Sequence, residues 1–193
     1  MGIGAEPASP GRLGPAPVLD PAAPGPDVAA MTMASLRLAT ADDADTIAHL
    51  CRELLAFYGI PPAYSRWAMA EAIKEKAFQD GRIEVLLAER DGVAVGLLVF
   101  VQVYSVALCQ DSFFIQDLYV SERWRGEGIG RQMMEYLGYL AEQRGVGQID
   151  WTADPWNDRS RRFYDSLGPH QRADKVFYRI AGPNLRHFIR KAQ

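Results

Sequence analysis

Cysteine is scarce in this chain. Cys51 and Cys109 are the only two in 193 residues, too few and too far apart for a disulfide framework, and no C-x-x-C or His-Cys spacing points to a metal site. A reducing cytoplasm is the expected setting. Basic charge is also in deficit: 21 Lys and Arg stand against 24 Asp and Glu, for a net charge of −3 and a pI near 5.6, which argues against a nucleic-acid partner. A long hydrophobic run is missing too. The most apolar stretch, 93–106, is broken by Gln102 and is too short and too β-branched for a membrane helix, so no membrane partner is expected. The N-terminus lacks a basic start followed by an apolar core, and so does not read as a secretory signal.

What is present divides in two. Residues 1–33 hold seven of the twelve prolines, between Pro7 and Pro26, among Ala and Gly. Such a segment cannot bury enough apolar surface to offset its ordering entropy, and a disordered tail is expected. Residues 34–193 are patterned throughout and expected to form one domain, with 48% hydrophobic and 23% charged residues over the chain, ordinary for a globular protein.

The pattern begins with a strand at 36–38 and the acids Asp42, Asp43 and Asp45, which cap a helix carrying Ile47, Leu50, Cys51, Leu54 and Tyr58 at helical spacing. His49 falls off that stripe and reads as solvated. A second helix is predicted over 65–79, with Trp67, Ala70, Ile73 and Ala77 on one buried face. Asp91-Gly92 joins β-rich runs at 83–89 and 93–106 into a hairpin. The next strand, 113–120, is expected to follow a turn around Gln110 and Asp111. A helix over 129–141 ending at Gly145, a strand at 148–152, a helix at 157–166, a strand at 176–180 and a short helix at 185–189 complete the order. The resulting fold class is α/β in the mixed sense, matching neither strict strand-helix alternation nor an all-β chain.

One stretch organises the rest. After the strand ending Asp117-Leu118-Tyr119-Val120 come Arg125-Gly126-Glu127-Gly128-Ile129-Gly130-Arg131 and then a helix. Glycines there allow positive φ and close approach to main-chain N–H groups, and the new helix's N-terminus favours an anion. A plain turn would also use the glycines, but not the arginines at 123, 125 and 131, which suit a phosphate-rich ligand. No Gly-Lys-Ser/Thr follows, so this is not the phosphate loop of a nucleoside triphosphatase. A dinucleotide fingerprint needs glycine where Arg131 stands, although Asp150 lies at the expected distance beyond the turn.

The run R-x-x-G-x-G at Arg125, Gly128 and Gly130, followed by Asn157-Asp158-Arg159-Ser160 and then Phe163-Tyr164, resembles the GNAT superfamily of N-acetyltransferases. Within it, Leu38 to Ala44, Ile115 to Val120, Trp156-Asn157-Asp158 and Val176 to Ile180 are most similar to the spermidine/spermine, diamine and thialysine branch. The resemblance covers about residues 36–190. It implies a central, mostly antiparallel sheet that splays to admit acetyl-coenzyme A, the acetyl donor, with no metal.

The resemblance also implies roles. Leu118, Tyr119 and Val120 would hold the acetyl and pantetheine arm through main-chain groups. Arg125, Gly126, Glu127, Gly128, Ile129, Gly130 and Arg131 would hold the pyrophosphate, and Asn157, Arg159 and Ser160 would flank the cofactor. Tyr164 is the candidate acid for the departing thiolate, the alternative being a core tyrosine beside Phe163; Tyr119 is set aside as acid because strand alternation turns it to the other face.

Acceptor candidates are Phe57, Tyr58, Gln116, Asp117, Asp150 and Thr152. Phe57 and Tyr58 read equally as core aromatics, and Asp117 and Asp150 as strand-end carboxylates. The branch carries a glutamate where this chain has Gln116, and an acid where it has Tyr58. An amide cannot act as a base, so Asp117 remains to bind the amine or take its proton, with Asp150 on the neighbouring strand as a second candidate. The expected activity is acetyl transfer to the primary amine of a small molecule (polyamine, diamine or amino-acid-like) by direct attack, in a homodimer. A protein lysine or N-terminal acetyltransferase and a non-catalytic acyl-coenzyme A sensor are the alternatives.

Overall fold

The computed structural model describes residues 33–168 and 177–181. The elements are β1 Ser35–Leu38, α1 Ala44–Phe57, α2 Arg66–Ile73, β2 Glu84–Arg90, β3 Val93–Ser105, β4 Gln110–Val120, α3 Ile129–Gln143, β5 Ile149–Trp151 and α4 Asp158–Asp165. Two compact units meet in sequence at Thr152 and Ala153. Everything up to β5 belongs to the first, and α4 to the second.

In the first unit the strands form one five-stranded sheet in the order β1-β2-β3-β4-β5. The first four pair antiparallel and β5 runs parallel to β4. Alternation sends Leu86, Ala88, Phe100, Phe113 and Ile115 to the face covered by Ile129, Met133 and Leu137 of α3. Val85, Leu87, Leu97 and Tyr119 go to the opposite face, against Ile47 and Leu50 of α1. This is the expected mixed α/β sheet with helices on both sides.

Two irregularities position the site. Between Val99↔Asp117 and Phe100↔Ile115 the ladder skips Gln116, a one-residue bulge in β4. On its other side β4 pairs with β5 only from Phe113↔Ile149 to Ile115↔Trp151. Beyond Ile115, residues 116–120 therefore have β3 on one side and no strand on the other among the described residues. The sheet parts there.

Three local expectations are corrected. The helix over 65–79 starts at its Ser65 cap, whose hydroxyl accepts from the Ala68 N–H at 3.2 Å, but widens into a π-helical turn at Lys74–Gln79. Its Trp67 is 72% exposed: α2 meets α1 through Ala70 against Ala44 and Ala48, and that small-residue face does not include the indole. The β3–β4 turn falls at 106–109, with Cys109 at φ +50°; Gln110 and Asp111 are instead paired with Ser105 and Tyr104. Residues 177–180 form no strand, and Phe177, Tyr178 and Ile180 are exposed, because among the described residues no neighbouring strand completes a ladder with them. The tail at 1–32, residue 176 of that strand and the helix at 185–189 lie outside the described residues. No described helix is long and apolar enough to cross a membrane.

An ion-paired brace joins β1, β2 and the entry to α1. Arg37 donates to both carboxylate oxygens of Asp43 at 2.7 and 2.8 Å and to Glu89 at 2.6 Å. The Arg37 bond, with help from the Thr40 N–H and against the cost of burial, lowers the Asp43 pKa to about 2. A folded-state pKa below the unfolded value of about 3.8 means stability fully present above that value and lost as pH falls through about 2. Thermal denaturation between pH 5 and 2 should therefore show a falling melting temperature, and Asp43→Asn should flatten part of that fall. Equal slopes in the two proteins would contradict it.

Candidate active site

The exit of β4 sets the geometry. The Ser121 N–H donates to the Val95 carbonyl at 2.8 Å, and in an antiparallel ladder bonded and non-bonded positions alternate. Tyr119, opposite Leu97, thus turns its main chain to β3, whereas Leu118 and Val120, opposite Leu98 and Gly96, turn theirs away, toward the side where β5 has ended. Ahead of the bulge the outward set is the odd one: the Phe113 N–H donates to Gln148 at 2.9 Å. The extra residue at Gln116 moves that role to 118 and 120. Tyr119, by contrast, turns its main chain to β3, and its ring is buried among Ile47, Leu50 and Leu97.

Next comes the glycine turn. Gly126 has φ +91° and Gly128, the N-cap of α3, φ +80°; a Cβ on Gly126 would meet nothing within 4 Å. No side chain caps α3. Open space over a helix start whose first N–H groups have no intrahelical acceptor is what a pyrophosphate requires. Gly130 and Arg131 lie in the first turn of that helix.

The arginines are not all aimed at this space. Arg125 folds back: its Nε donates to the Val120 carbonyl at 2.8 Å, and its guanidinium lies 4.9 Å from the Phe57 ring centre and 5.3 Å from that of Tyr119. Its side chain therefore braces the strand end rather than reaching for phosphate. Arg123 stacks on Trp124 at 5.0 Å, and Glu127 faces Arg90 at 3.4 Å.

On the acceptor side, Asp117 shares the face of Tyr119, its carboxylate close enough to Cys51 of α1 for its charge to be felt there. Burial, then that charge, pushes the Cys51 thiol up to about 11. Asp117 is itself solvent-accessible, yet the atoms crowding it desolvate the carboxyl enough to raise its pKa. Gln116 is exposed at the bulge. Phe57 and Tyr58 are 44% and 38% exposed, with rings edge to face at 5.2 Å, so both are surface aromatics at the end of α1 rather than core. Asp150 accepts from the Gln148 side chain opposite Phe114 in register, and Thr152 is exposed.

In the second unit Asn157 is 7% exposed and caps α4, accepting from the Ser160 N–H at 3.1 Å. Arg159 is exposed, and Tyr164 is half-buried with its ring 5.1 Å from Phe163. Among the described residues no group of acids, histidines and cysteines could hold a metal.

Sequence reasoning missed Glu53. Its carboxylate accepts from the Ser121 hydroxyl at 2.6 Å, lies 3.5 Å from His49 and is near enough to the Tyr119 phenol for its charge to raise that group's pKa, after burial. The signal available was the spacing of His49, Glu53 and Phe57 at i, i+4 and i+8, a second stripe beside the apolar one.

Residues 47–168, more than half of the chain, match the profile of the acetyltransferase (GNAT) family. The chain belongs to that family. Similar GNAT-type relatives include L-ornithine N5-acetyltransferase of Arabidopsis thaliana, 27% identical over 49% of this chain and 42% of that protein. Thialysine N-epsilon-acetyltransferase of Mus musculus is 24% identical over 80% of this chain and 97% of that one. The match to the plant enzyme thus spans less than half of that protein's length. An integron cassette protein of V. cholerae shares the fold, with a TM-score of 0.74 at 24% identity over 83% of this chain and 99% of its own.

Proposed function

We propose that this GNAT protein is an N-acetyltransferase carrying acetyl from acetyl-coenzyme A to the primary amine of a small, amino-acid-like molecule. The observation that carries the reading is the pairing of outward main chain at Leu118 and Val120 with the open, uncapped glycine turn that follows. When bound, acetyl-coenzyme A supplies a thioester whose carbonyl carbon accepts an amine as its C–S bond breaks. The N–H groups from Gly126 to Arg131 would hold its pyrophosphate and those of Leu118 and Val120 would orient its pantetheine arm, with Asn157, Arg159 and Ser160 proposed as flanking groups.

Asp117 is proposed to bind the acceptor ammonium and take its proton, and Tyr164 to donate a proton at the sulfur. Its raised pKa makes Asp117 a better base than an ordinary carboxylate once ionised. With Gln116 and Tyr58 in place of acids, only one carboxylate of the acceptor candidates on β4 and α1 remains to meet positive charge. Ornithine- and thialysine-like amines therefore suit the site better than polycations. The same reading carries a homodimer acting in the cytoplasm.

The test is release of coenzyme A from acetyl-coenzyme A across putrescine, spermidine, lysine, ornithine, thialysine and a lysine-bearing peptide. Turnover is expected with the amino acids and at least about tenfold lower kcat/KM for spermidine, the size of one lost charge contact. Spermidine as the best acceptor would overturn the amino-acid reading, and turnover with the peptide alone would make this a protein acetyltransferase. With the best acceptor, the acid limb of kcat/KM against pH should lie above the ordinary carboxylate range near 4. Asp117→Asn should abolish that limb and lower kcat/KM about tenfold or more; an unchanged profile would remove Asp117 from the mechanism.

A further inference from the structure

The free end of β4 is held by a polar clamp that the proposed chemistry does not itself use. From Gln116 to Val120 the strand has β3 on one side only, so nothing in the sheet fixes it on the side where its outward N–H groups are presented. Across the sheet face, α1 fixes it instead. His49, Glu53 and Phe57 lie one above another on that helix, and Glu53 and Phe57 meet the strand exit at Ser121 and Arg125. Glu53 accepts from the Ser121 hydroxyl at 2.6 Å, and its charge, with that of Arg125, is felt at the Tyr119 phenol. Arg125 closes the loop, holding the Val120 carbonyl at 2.8 Å and covering Phe57. One carboxylate thus holds 121, next to the strand's last outward position, while Arg125 at the start of the glycine turn holds the carbonyl of that position itself.

We infer that Glu53 is a positioning residue for acetyl transfer, acting through Ser121 to fix the main chain of Leu118 and Val120 that receives the thioester. The inference rests on the transferase reading above. Glu53 touches neither donor nor acceptor in this account, and the grip on the pyrophosphate lies beyond it, in the turn. Loss of the clamp should therefore slow the reaction without weakening donor binding, because misplacement by 1 Å can cost about 10²-fold in rate while leaving distant contacts intact.

The experiment compares wild type with Glu53→Ala, Glu53→Gln, Ser121→Ala and the double variant Glu53→Ala/Ser121→Ala. Without any ligand, amide hydrogen exchange at 119 and 121, the two amides turned to β3, should speed up about tenfold in Glu53→Ala, with Phe113 and the α3 amides unchanged. In turnover, Glu53→Ala and Ser121→Ala should each lower kcat about 20-fold with KM for acetyl-coenzyme A within about threefold. The double variant should lose little more than either single change, as expected for groups acting as one unit. Glu53→Gln, whose amide oxygen still accepts from Ser121, should recover most of the rate. The inference is overturned if exchange at 119 and 121 stays at the wild-type rate, if kcat stays within about twofold, if KM rises as much as kcat falls, or if the two losses multiply. A wild type that releases coenzyme A with no amine overturns the transferase reading and this inference together; a working wild type beside an unaffected Glu53→Ala overturns the inference alone.

Discussion

Tyr164→Phe is expected to lower kcat about 10²- to 10³-fold while leaving KM for acetyl-coenzyme A nearly unchanged. The substitution keeps the ring, and with it the packing against Phe163 at 5.1 Å, and removes only the phenolic proton. A thiolate leaving from a thioester must be neutralised, and a positioned proton donor is worth about 10²- to 10⁴-fold in rate. Because the proton moves only as the C–S bond breaks, the loss falls on kcat and not on binding. Steady-state kinetics with the best amine reads this directly, with melting temperature as a check on folding. A variant that keeps kcat within about threefold would assign the proton to another group, and Tyr164 would then be a packing residue of α4.

Gly128→Val should act on the other half of the balance, raising KM for acetyl-coenzyme A about 100-fold. At φ +80° a β-branched residue is strained by about 1–2 kcal/mol and is driven toward negative φ. Such a shift turns the N–H groups of the first α3 turn out of line. Charge-assisted hydrogen bonds to phosphate are worth about 1.5–3 kcal/mol each, so loss of two at the lower end of that range already costs a factor of about 100. Calorimetry with coenzyme A alone isolates this effect from the chemistry. Unchanged affinity would show that the pyrophosphate is held elsewhere. Gly126→Ala, also at positive φ but facing open space, should be the milder of the two.

These two changes fall on features that the sequence displays openly, and the reason is locality. Gly126 and Gly128 announce their backbone conformation by lacking a Cβ, and Asn157 three residues before Ser160 announces a helix cap; each needs only its neighbours in the chain. The order of strands and helices is legible for the same reason, since the period of apolar residues reports the face they bury. What the sequence conceals depends on partners far along the chain. The bulge at Gln116 exists only relative to Val99 and Phe100, and it alone makes 118 and 120 outward and 119 inward. Glu53 meets Ser121 across 68 positions, so spacing along its helix can mark it as part of a second stripe but cannot name the partner that gives it a role. Arg125 belongs to a phosphate motif by sequence, yet its side chain finds the Val120 carbonyl and two aromatic rings nearby. Trp67 fits the helical stripe, but alanines make the contact.

Central to this account is that the donor lies along the free edge of β4 and over the glycine turn. The most direct measurement is amide chemical-shift mapping of the isotope-labelled protein titrated with acetyl-coenzyme A. The account predicts the largest shifts at Leu118, Val120 and residues 126–131, with Tyr119, whose N–H is committed to β3, moving less than either neighbour. Shifts concentrated on α2 or β1, with 118, 120 and 126–131 silent, would contradict it.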